Sequence, residues 1–171
     1  MKKIILSTSL AFFTIIYFIG CAKVTPPIYE ELQIYEEPQK YCEEILSCLE
    51  KKDEKSLKSM FCQTIIFNSS TLDDEIKNAI NFFDGDIISY QNPLYPSTES
   101  FRDGKLVEYS VSPSIHDIKT SSNNIYNIKF YFKVVSIDNP DKLGISEILI
   151  TDEDGNECQI GDFYIVNPEY K

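Results

Sequence analysis

The chain has 171 residues, with 16 lysines and arginines against 27 aspartates and glutamates, and a formal net charge of −11. Its length suits one domain with a hydrophobic core, and 11 tyrosines and 11 phenylalanines supply enough apolar mass to exclude wholesale disorder. The acidic balance, without any basic stripe, excludes a nucleic-acid-binding protein.

The first 20 residues have the features of an export signal. Lys2 and Lys3 form a positive start, and an uncharged, almost wholly apolar stretch follows from Ile4 to Ile19. This stretch has about 16 residues, fewer than the roughly 20 that a transmembrane helix needs, so cleavage is favoured over spanning. The alternatives are an uncleaved signal anchor and an ordinary signal followed by a cysteine at position 21 by chance.

The end of this segment, Phe18-Ile19-Gly20-Cys21, resembles the lipobox of bacterial lipoproteins, although Phe18 stands where leucine is usual. The resemblance implies cleavage before Cys21 and a diacylglyceryl group, carrying acyl chains such as palmitate, joined to its sulfur by a thioether bond. It also implies localisation at the outer face of the bacterial cytoplasmic membrane. Each buried methylene contributes about 0.8 kcal/mol, so two or three chains on one cysteine hold a protein firmly. The membrane is then a partner through the lipid anchor.

The export signal, residues 1–20, is predicted to precede a lipidated tether, residues 21–37, and a single domain, residues 38–171. The tether prediction depends on Thr25-Pro26-Pro27, which favours extended backbone, and on scattered acidic residues without a core pattern. Without residues 1–20 the chain keeps 14 basic against 27 acidic residues, because only Lys2 and Lys3 are lost. This charge disfavours adhesion to anionic lipid, which leaves membrane attachment to the acyl chains.

Three helices are predicted ahead of the strands. Apolar residues at helical spacing predict the first over Pro38–Lys51, and Asp53 is a natural N-cap for the second. A β-branched run over Gln63–Asn68 predicts a short strand. Thr71 is the predicted cap of the third helix, which ends at Asp84-Gly85.

After the helices the hydrophobic period changes to two, which predicts antiparallel strands. These are placed at Ile87–Gln91, Lys105–Ile115, Ile125–Ile137, Leu143–Thr151 and near Phe163–Val166. The second of them is entered through a predicted turn, Arg102-Asp103-Gly104-Lys105. The Ile125–Ile137 segment has the clearest alternation, with one face apolar and the other carrying Asn127, Lys129, Tyr131 and Lys133. The predicted fold class is therefore α+β, with three N-terminal helices packed against a curved antiparallel sheet.

Two segments carry a family resemblance. The run Ile45 to Asp53, ILSCLEKKD, resembles the first helix and break of the nuclear-transport-factor-2-like, or cystatin-like (SnoaL-like), superfold, with Leu57 and Phe61 downstream. Asp73–Tyr90, with its corner Phe82-Phe83-Asp84-Gly85, is similar to a family of uncharacterised Gram-positive lipoproteins. The resemblance covers residues 38–166 and implies a cone with an internal pocket. It carries over no site residue, because this superfold hosts enzymes, carriers and structural dimers.

Four cysteines follow position 21: Cys42, Cys48, Cys62 and Cys158. An exported location permits disulfides, although Cys42 and Cys48 point about 240° apart on one predicted helix and cannot pair there. Disulfide pairing through Cys62 and burial as apolar core residues both stay open. No C-x-x-C pair is present and the chain has one histidine, so neither a structural zinc site nor any other metal or cofactor is predicted.

Two polar motifs are candidates for a catalytic site and a calcium site. His116-Asp117 is the one adjacent imidazole and carboxylate, but neighbours on a strand point to opposite faces, so a strand-end or loop histidine is the favoured interpretation. The acidic run from Asp152 to Glu157 suggests calcium, but the calcium-loop template would place Ile150 and Gly161 at ligand positions. A hairpin turn is the favoured interpretation of that run. The sequence therefore predicts no catalytic residue.

The long loop Asn92–Asp103 carries exposed aromatics that suit a pocket mouth, a partner surface or packing on the sheet. The leading hypothesis is a lipid-anchored binding or interaction module whose partner is a hydrophobic small molecule or an envelope protein. The alternatives are a small pocket enzyme of isomerase or hydrolase type and a structural homodimer without catalysis.

Overall fold

The computed structural model describes residues 28–170 and the side chains of residues 34–170; the sheet and core belong to the unit Ile34–Lys171. Five α-helices lie in the described residues: α1 Ile28–Lys51, α2 Glu54–Ser59, α3 Gln63–Asn68, α4 Leu72–Phe82 and α5 Phe163–Val166. The seven strands are β1 Ile87–Ser89, β2 Ser97–Arg102, β3 Lys105–Val111, β4 Ser114–Thr120, β5 Ile125–Ser136, β6 Gly144–Asp152 and β7 Glu157–Gly161. Short 3₁₀ turns lie at Pro140–Lys142 and Pro168–Tyr170.

The mixed α+β class with an antiparallel sheet is confirmed, while the prediction of three N-terminal helices is wrong. Four helices precede the first strand among the described residues. Helix α1 begins at Ile28 rather than at the predicted Pro38, and Pro38 lies inside it, where a proline removes one backbone hydrogen bond. Residues 28–37 of the predicted tether are therefore helical.

The predicted cap of α2 is confirmed and that of α4 is wrong. The Asp53 carboxylate accepts a hydrogen bond of 3.0 Å from the Ser56 backbone N–H, which satisfies a free donor of the first turn. The hydroxyl of Thr71 makes no such cap and instead donates to Glu75 at 2.6 Å. Helix α4 still begins directly after Thr71, at Leu72.

Two strand predictions and one loop prediction are wrong. The β-branched run Gln63–Asn68 is helix α3, and Phe163–Val166 is the short helix α5. The predicted loop Asn92–Asp103 contains strand β2, whose six residues are all exposed. The turn between β2 and β3 is where the sequence places it, with Asp103 and Gly104 both at positive φ as in a type I′ hairpin.

The sheet is antiparallel throughout, and β5 is its centre. One edge of β5 pairs with β4 and β3, and the other edge pairs with β6, which in turn pairs with β7. Strands β3 and β4 form one bent line against β5, because the pairs Val111↔Phe132 and Ser114↔Lys129 share one register. Between them, Phe130 N–H donates to the Pro113 carbonyl at 3.1 Å.

The core lies between the helices and one face of the sheet. Phe83, Phe130, Ile45, Leu49, Ile115 and Ile148 are among its side chains with almost no solvent exposure. The opposite face of β5 carries Asn127, Lys129, Tyr131 and Lys133, and this polar side of the sheet is called the outer face. Apolar side chains fill the core between the helices and the sheet, whereas polar groups line the outer face.

Candidate functional site

The predicted lipidation site lies outside the described residues. Phe18, Ile19, Gly20 and Cys21 precede residue 28, so the signal, the lipobox and the anchor stay predictions. Among the described residues, no helix has both the length and the apolar character needed to cross a membrane.

The four cysteines of the domain are free thiols. Cys42, Cys48 and Cys62 are buried in the core and Cys158 is half-buried. Burial raises the pKa of all four thiols, and raises the pKa of Cys42 to about 12. Of the two interpretations that the sequence left open, the structure therefore shows small core residues, which are poor nucleophiles because they stay protonated.

The acidic run from Asp152 to Glu157 is a hairpin turn. The Asp152 carboxylate accepts backbone hydrogen bonds from Asp154 and Asn156 and a side-chain hydrogen bond from Asn156. These bonds, the Asn156 side chain first, lower the pKa of Asp152. The described residues contain no group of three or more acidic, histidine or cysteine side chains arranged to hold a metal.

His116 lies on the outer face of β4 and makes no hydrogen bond to Asp117. The imidazole is instead within hydrogen-bond distance of Ser114 Oγ, at 3.2 Å from Nε2, and of Asn127 Oδ1, at 3.3 Å from Nδ1. The Asp117 carboxylate accepts a hydrogen bond from the Gln91 side chain. The structure thus gives His116 and Asp117 different partners.

The loop before β2 supplies one aromatic side chain to helix α1. Tyr95 lines a small pocket together with Cys42 of α1, and burial raises the pKa of Tyr95 to about 12. Phe101, by contrast, is 56% exposed on β2. The loop aromatics are therefore split between packing on α1 and exposure to solvent.

A groove of about 350 Å³ crosses the outer face of the sheet beneath the C-terminal segment. Its floor comes from β2, β3, β5 and β6, and its roof from α5 and the 3₁₀ turn that follows. Floor residues include Thr98, Glu108, Ser110, Ser112, Tyr131, Lys133 and Ser146, and roof residues include Phe163, Val166, Asn167 and Tyr170. Hydroxyl groups, aromatic rings and one charge pair thus meet in one cavity of ligand size.

The charge pair of the groove joins Lys133 of β5 to Glu108 of β3. The Lys133 ammonium lies 2.7 Å from the Glu108 carboxylate, and the lysine side chain is only 11% exposed while that of the glutamate is 47% exposed. A buried ammonium needs a partner, since an unpaired charge away from water is costly. The exposed carboxylate side of the pair remains accessible from the groove.

Two hydrogen bonds from backbone N–H groups to carboxylates hold the aromatic roof. The Asp162 side chain accepts from the Tyr164 N–H at 2.8 Å, and the Glu147 carboxylate of β6 accepts from the Phe163 N–H at 3.1 Å. These bonds place the Phe163 ring 4.7 Å from that of Tyr131 and 5.9 Å from that of Tyr170, measured between centroids. The roof is therefore attached to the sheet at a defined position.

One strand of the groove floor, β5, was visible in the sequence pattern, but the groove itself was not. The alternation on β5 placed Lys129, Tyr131 and Lys133 on one face, and an aromatic between lysines was the available signal. The partners of these side chains come from β3, β6 and the C-terminal segment, and the last of these was predicted as a strand. The groove was therefore missed.

A protein-family model matches a segment of the chain that includes the strands of the groove floor. Residues 44–153, from α1 through β6, match the model described as Domain of unknown function (DUF5104). A comparison with curated proteins gives no match. The matched segment is more than half of the chain and includes His116, Lys133 and Glu108. The chain therefore belongs to the DUF5104 family of domains of unknown function.

Proposed function

We propose that the chain is an exported lipoprotein, anchored through Cys21 at the outer face of a bacterial cytoplasmic membrane, whose domain binds a small amphiphilic molecule. The anchor rests on the lipobox Phe18-Ile19-Gly20-Cys21 behind an apolar segment with two lysines at its start. The binding role rests on the groove beneath the C-terminal segment.

Replacing Cys21 with alanine is expected to abolish lipid labelling and to release the protein from the membrane or leave it as uncleaved precursor. The physical reason is that the thioether sulfur is the attachment point of the acyl chains. The measurement is metabolic labelling with an alkyne fatty acid, followed by fractionation. Cys158→Ala, which removes the half-buried thiol of the domain, is the matched control and should label normally. Unchanged labelling of Cys21→Ala would contradict the anchor.

For the fold we propose the nuclear-transport-factor-2-like cone, in which helices sit inside a strongly curved sheet. Two bulges flank the bend between β3 and β4 and support this proposal. One lies at Tyr109/Ser110 and the other between Ile115 and Ile118, where Asp117 has a φ of +52°. Bulges of this kind bend a strand and increase its twist. The cone interior is filled by side chains, so the proposed ligand site is the outer-face groove.

The observation that carries the binding role is a nearly buried lysine, paired with an exposed carboxylate, beneath an aromatic roof in a cavity of about 350 Å³. Tyr131 and Phe163 offer ring faces and edges to an apolar or cyclic part of a ligand. Lys133 and the surrounding hydroxyl groups offer hydrogen bonds to its polar end. A ligand with both parts fits better than a purely hydrophobic one.

Native mass spectrometry of the full chain, purified gently from cells in mild detergent, tests this role. We expect a reproducible non-lipid adduct that is lost in Tyr131→Ala, which removes the ring beneath Phe163. Phe67→Ala is the matched control, because Phe67 is 79% exposed on α3 and does not line the groove. A clean unliganded monomer would contradict ligand binding, and a clean dimer would favour the structural homodimer.

A further inference from the structure

Three side chains on the outer face form a hydrogen-bonded chain that ligand binding does not explain. Ser114 Oγ lies 3.2 Å from His116 Nε2, and His116 Nδ1 lies 3.3 Å from Asn127 Oδ1. All three residues are partly exposed, so the chain is open to solvent and to small molecules. Serine, histidine and an amide in this order are a nucleophile, a base and a group that orients the base.

The backbone decides which atom donates in each bond. The N–H of Asp117 donates to Asn127 Oδ1 at 3.2 Å, which turns the amide oxygen rather than its NH₂ toward His116. The imidazole nitrogen facing that oxygen, Nδ1, must then be the donor. In a neutral imidazole this leaves Nε2 as an acceptor, directed at the Ser114 hydroxyl. The positive φ of Asp117, +52°, belongs to the bulge that brings its N–H to this position.

We propose that Ser114 is the nucleophile of a serine esterase site, with His116 as its general base and Asn127 as the positioning residue. Ser114 Oγ forms a bond to the acyl carbon of an ester while its proton passes to His116 Nε2. The carbon–oxygen bond to the alcohol then breaks, and the alcohol leaves with that proton. Water, activated in the same way by His116, hydrolyses the acyl-serine and releases the acid.

A lysine is the cross-strand neighbour of the nucleophile. Ser114 exchanges both backbone hydrogen bonds with Leu94, so its pair with Lys129 on the other side is a non-hydrogen-bonded one. Side chains of such a pair are close, with Cβ atoms about 4.5–5.5 Å apart. The Lys129 ammonium is held over the Tyr131 ring, 5.2 Å from its centroid. It is therefore placed to stabilise the negative oxygen that forms when Ser114 attacks.

The substrate class follows from the distance to the groove. Ser112 lines the groove from the link between β3 and β4, and Ser114, two residues later on the same face, begins β4 about 7 Å farther. An ester whose acyl or alcohol part occupies the groove would reach Ser114. This choice of substrate rests on the proposed function, whereas the chemistry of the three side chains does not.

A fluorophosphonate probe tests the chemistry on the full chain without requiring the groove. We expect a covalent adduct on Ser114, located by peptide mass spectrometry, as the phosphorus–oxygen bond forms, fluoride leaves and His116 takes the proton. His116→Gln should slow labelling by about 100-fold or more, the effect of losing a general base. Ser100→Ala, an exposed serine on β2, is the matched control and should label at the unchanged rate.

Asn127 separates a catalytic arrangement from a structural one. Asn127→Asp keeps an oxygen acceptor for both N–H donors and adds a charge that stabilises the protonated imidazole, so labelling should be at least as fast. Asn127→Leu should slow it, and thermal melting will identify variants that do not fold. An absent adduct, or an adduct formed equally fast in folded His116→Gln, would overturn the esterase site. Either result leaves the adduct measurement on the groove unaffected, so the two proposals fail separately.

Discussion

Replacing Gly161 with alanine is expected to lower the free energy of unfolding by about 3 kcal/mol. Gly161 is buried at the end of β7 with a φ of +75°, and an added Cβ would lie 2.4 Å from the Ser146 carbonyl oxygen and 3.0 Å from the Phe61 ring. Backbone and a buried ring cannot move away cheaply, and both overpacking and positive φ are destabilising. The measurement is urea unfolding followed by circular dichroism.

Gly155→Ala separates the two causes. Gly155 has a similar φ of +83°, but nothing lies within 4 Å of an added Cβ. Its expected cost is about 1 kcal/mol, from backbone conformation alone. Equal losses in the two variants would show that the contact with Ser146 does not matter. A larger loss at Gly161 would show that the close approach of β6 and β7 is part of the fold.

Gly161 also connects the sheet to helix α4 through a hydrogen bond. Its N–H donates to Glu75 Oε2 at 2.8 Å, while Glu75 Oε1 accepts from Thr71. The sequence suggested a polar cap at Thr71, but the role of Glu75 depends on a strand 86 residues away. Local pattern located the helix start, and only the tertiary fold decides what its polar side chains bind.

Long amphipathic segments were predictable, and short ones were not. The helical spacing in α1 and α4 and the alternation in β5 reflect burial of one face, which a sequence records directly. The run Gln63–Asn68 has β-branched residues but forms α3, because tertiary packing buries Ile65 completely and overrides a weak intrinsic preference. Helix α5 has four residues, too few to show any period.

Strand β2 was missed for a different reason. All six of its residues are exposed, so no alternation of buried and exposed positions marks it. Its pairing with β3 follows from the Asp103-Gly104 turn, which the sequence did predict. A reliable hairpin turn was therefore a better guide to this strand than its own composition.

The candidate sites, too, were predictable from the sequence only in part. The polar face of β5 was visible in the alternation of Asn127, Lys129, Tyr131 and Lys133. The Glu108 partner of Lys133 and the roof residue Phe163 are distant in sequence and were not predictable. For His116, adjacency to Asp117 drew attention to the wrong partner, because the strand face selects Ser114 two residues earlier. Residues two positions apart on a strand share a face, and this spacing was the sequence signal for the Ser114–His116 pair.

Replacing Phe130 with alanine is expected to lower the free energy of unfolding by about 3–5 kcal/mol, the range for a buried phenylalanine. Phe130 has 0% exposure at the middle of β5, opposite Ile148 of β6, and it faces the helices. Its removal would leave a cavity where helices and sheet meet. The measurement is urea unfolding, with the midpoint and slope compared between variant and parent.

Phe67→Ala makes the same chemical change at a position that is 79% exposed, and its cost should be within about 0.5 kcal/mol. The difference between the two variants therefore measures burial rather than the loss of a ring as such. Near-equal stabilities would mean that the space between helices and sheet is not packed in solution. In that case the interior of the proposed cone would be open to a ligand, and the outer-face groove would no longer be the favoured binding site. A large difference keeps the interior closed and leaves the outer face, with its groove and its Ser114–His116–Asn127 chain, as the surface that we propose for ligand binding and catalysis.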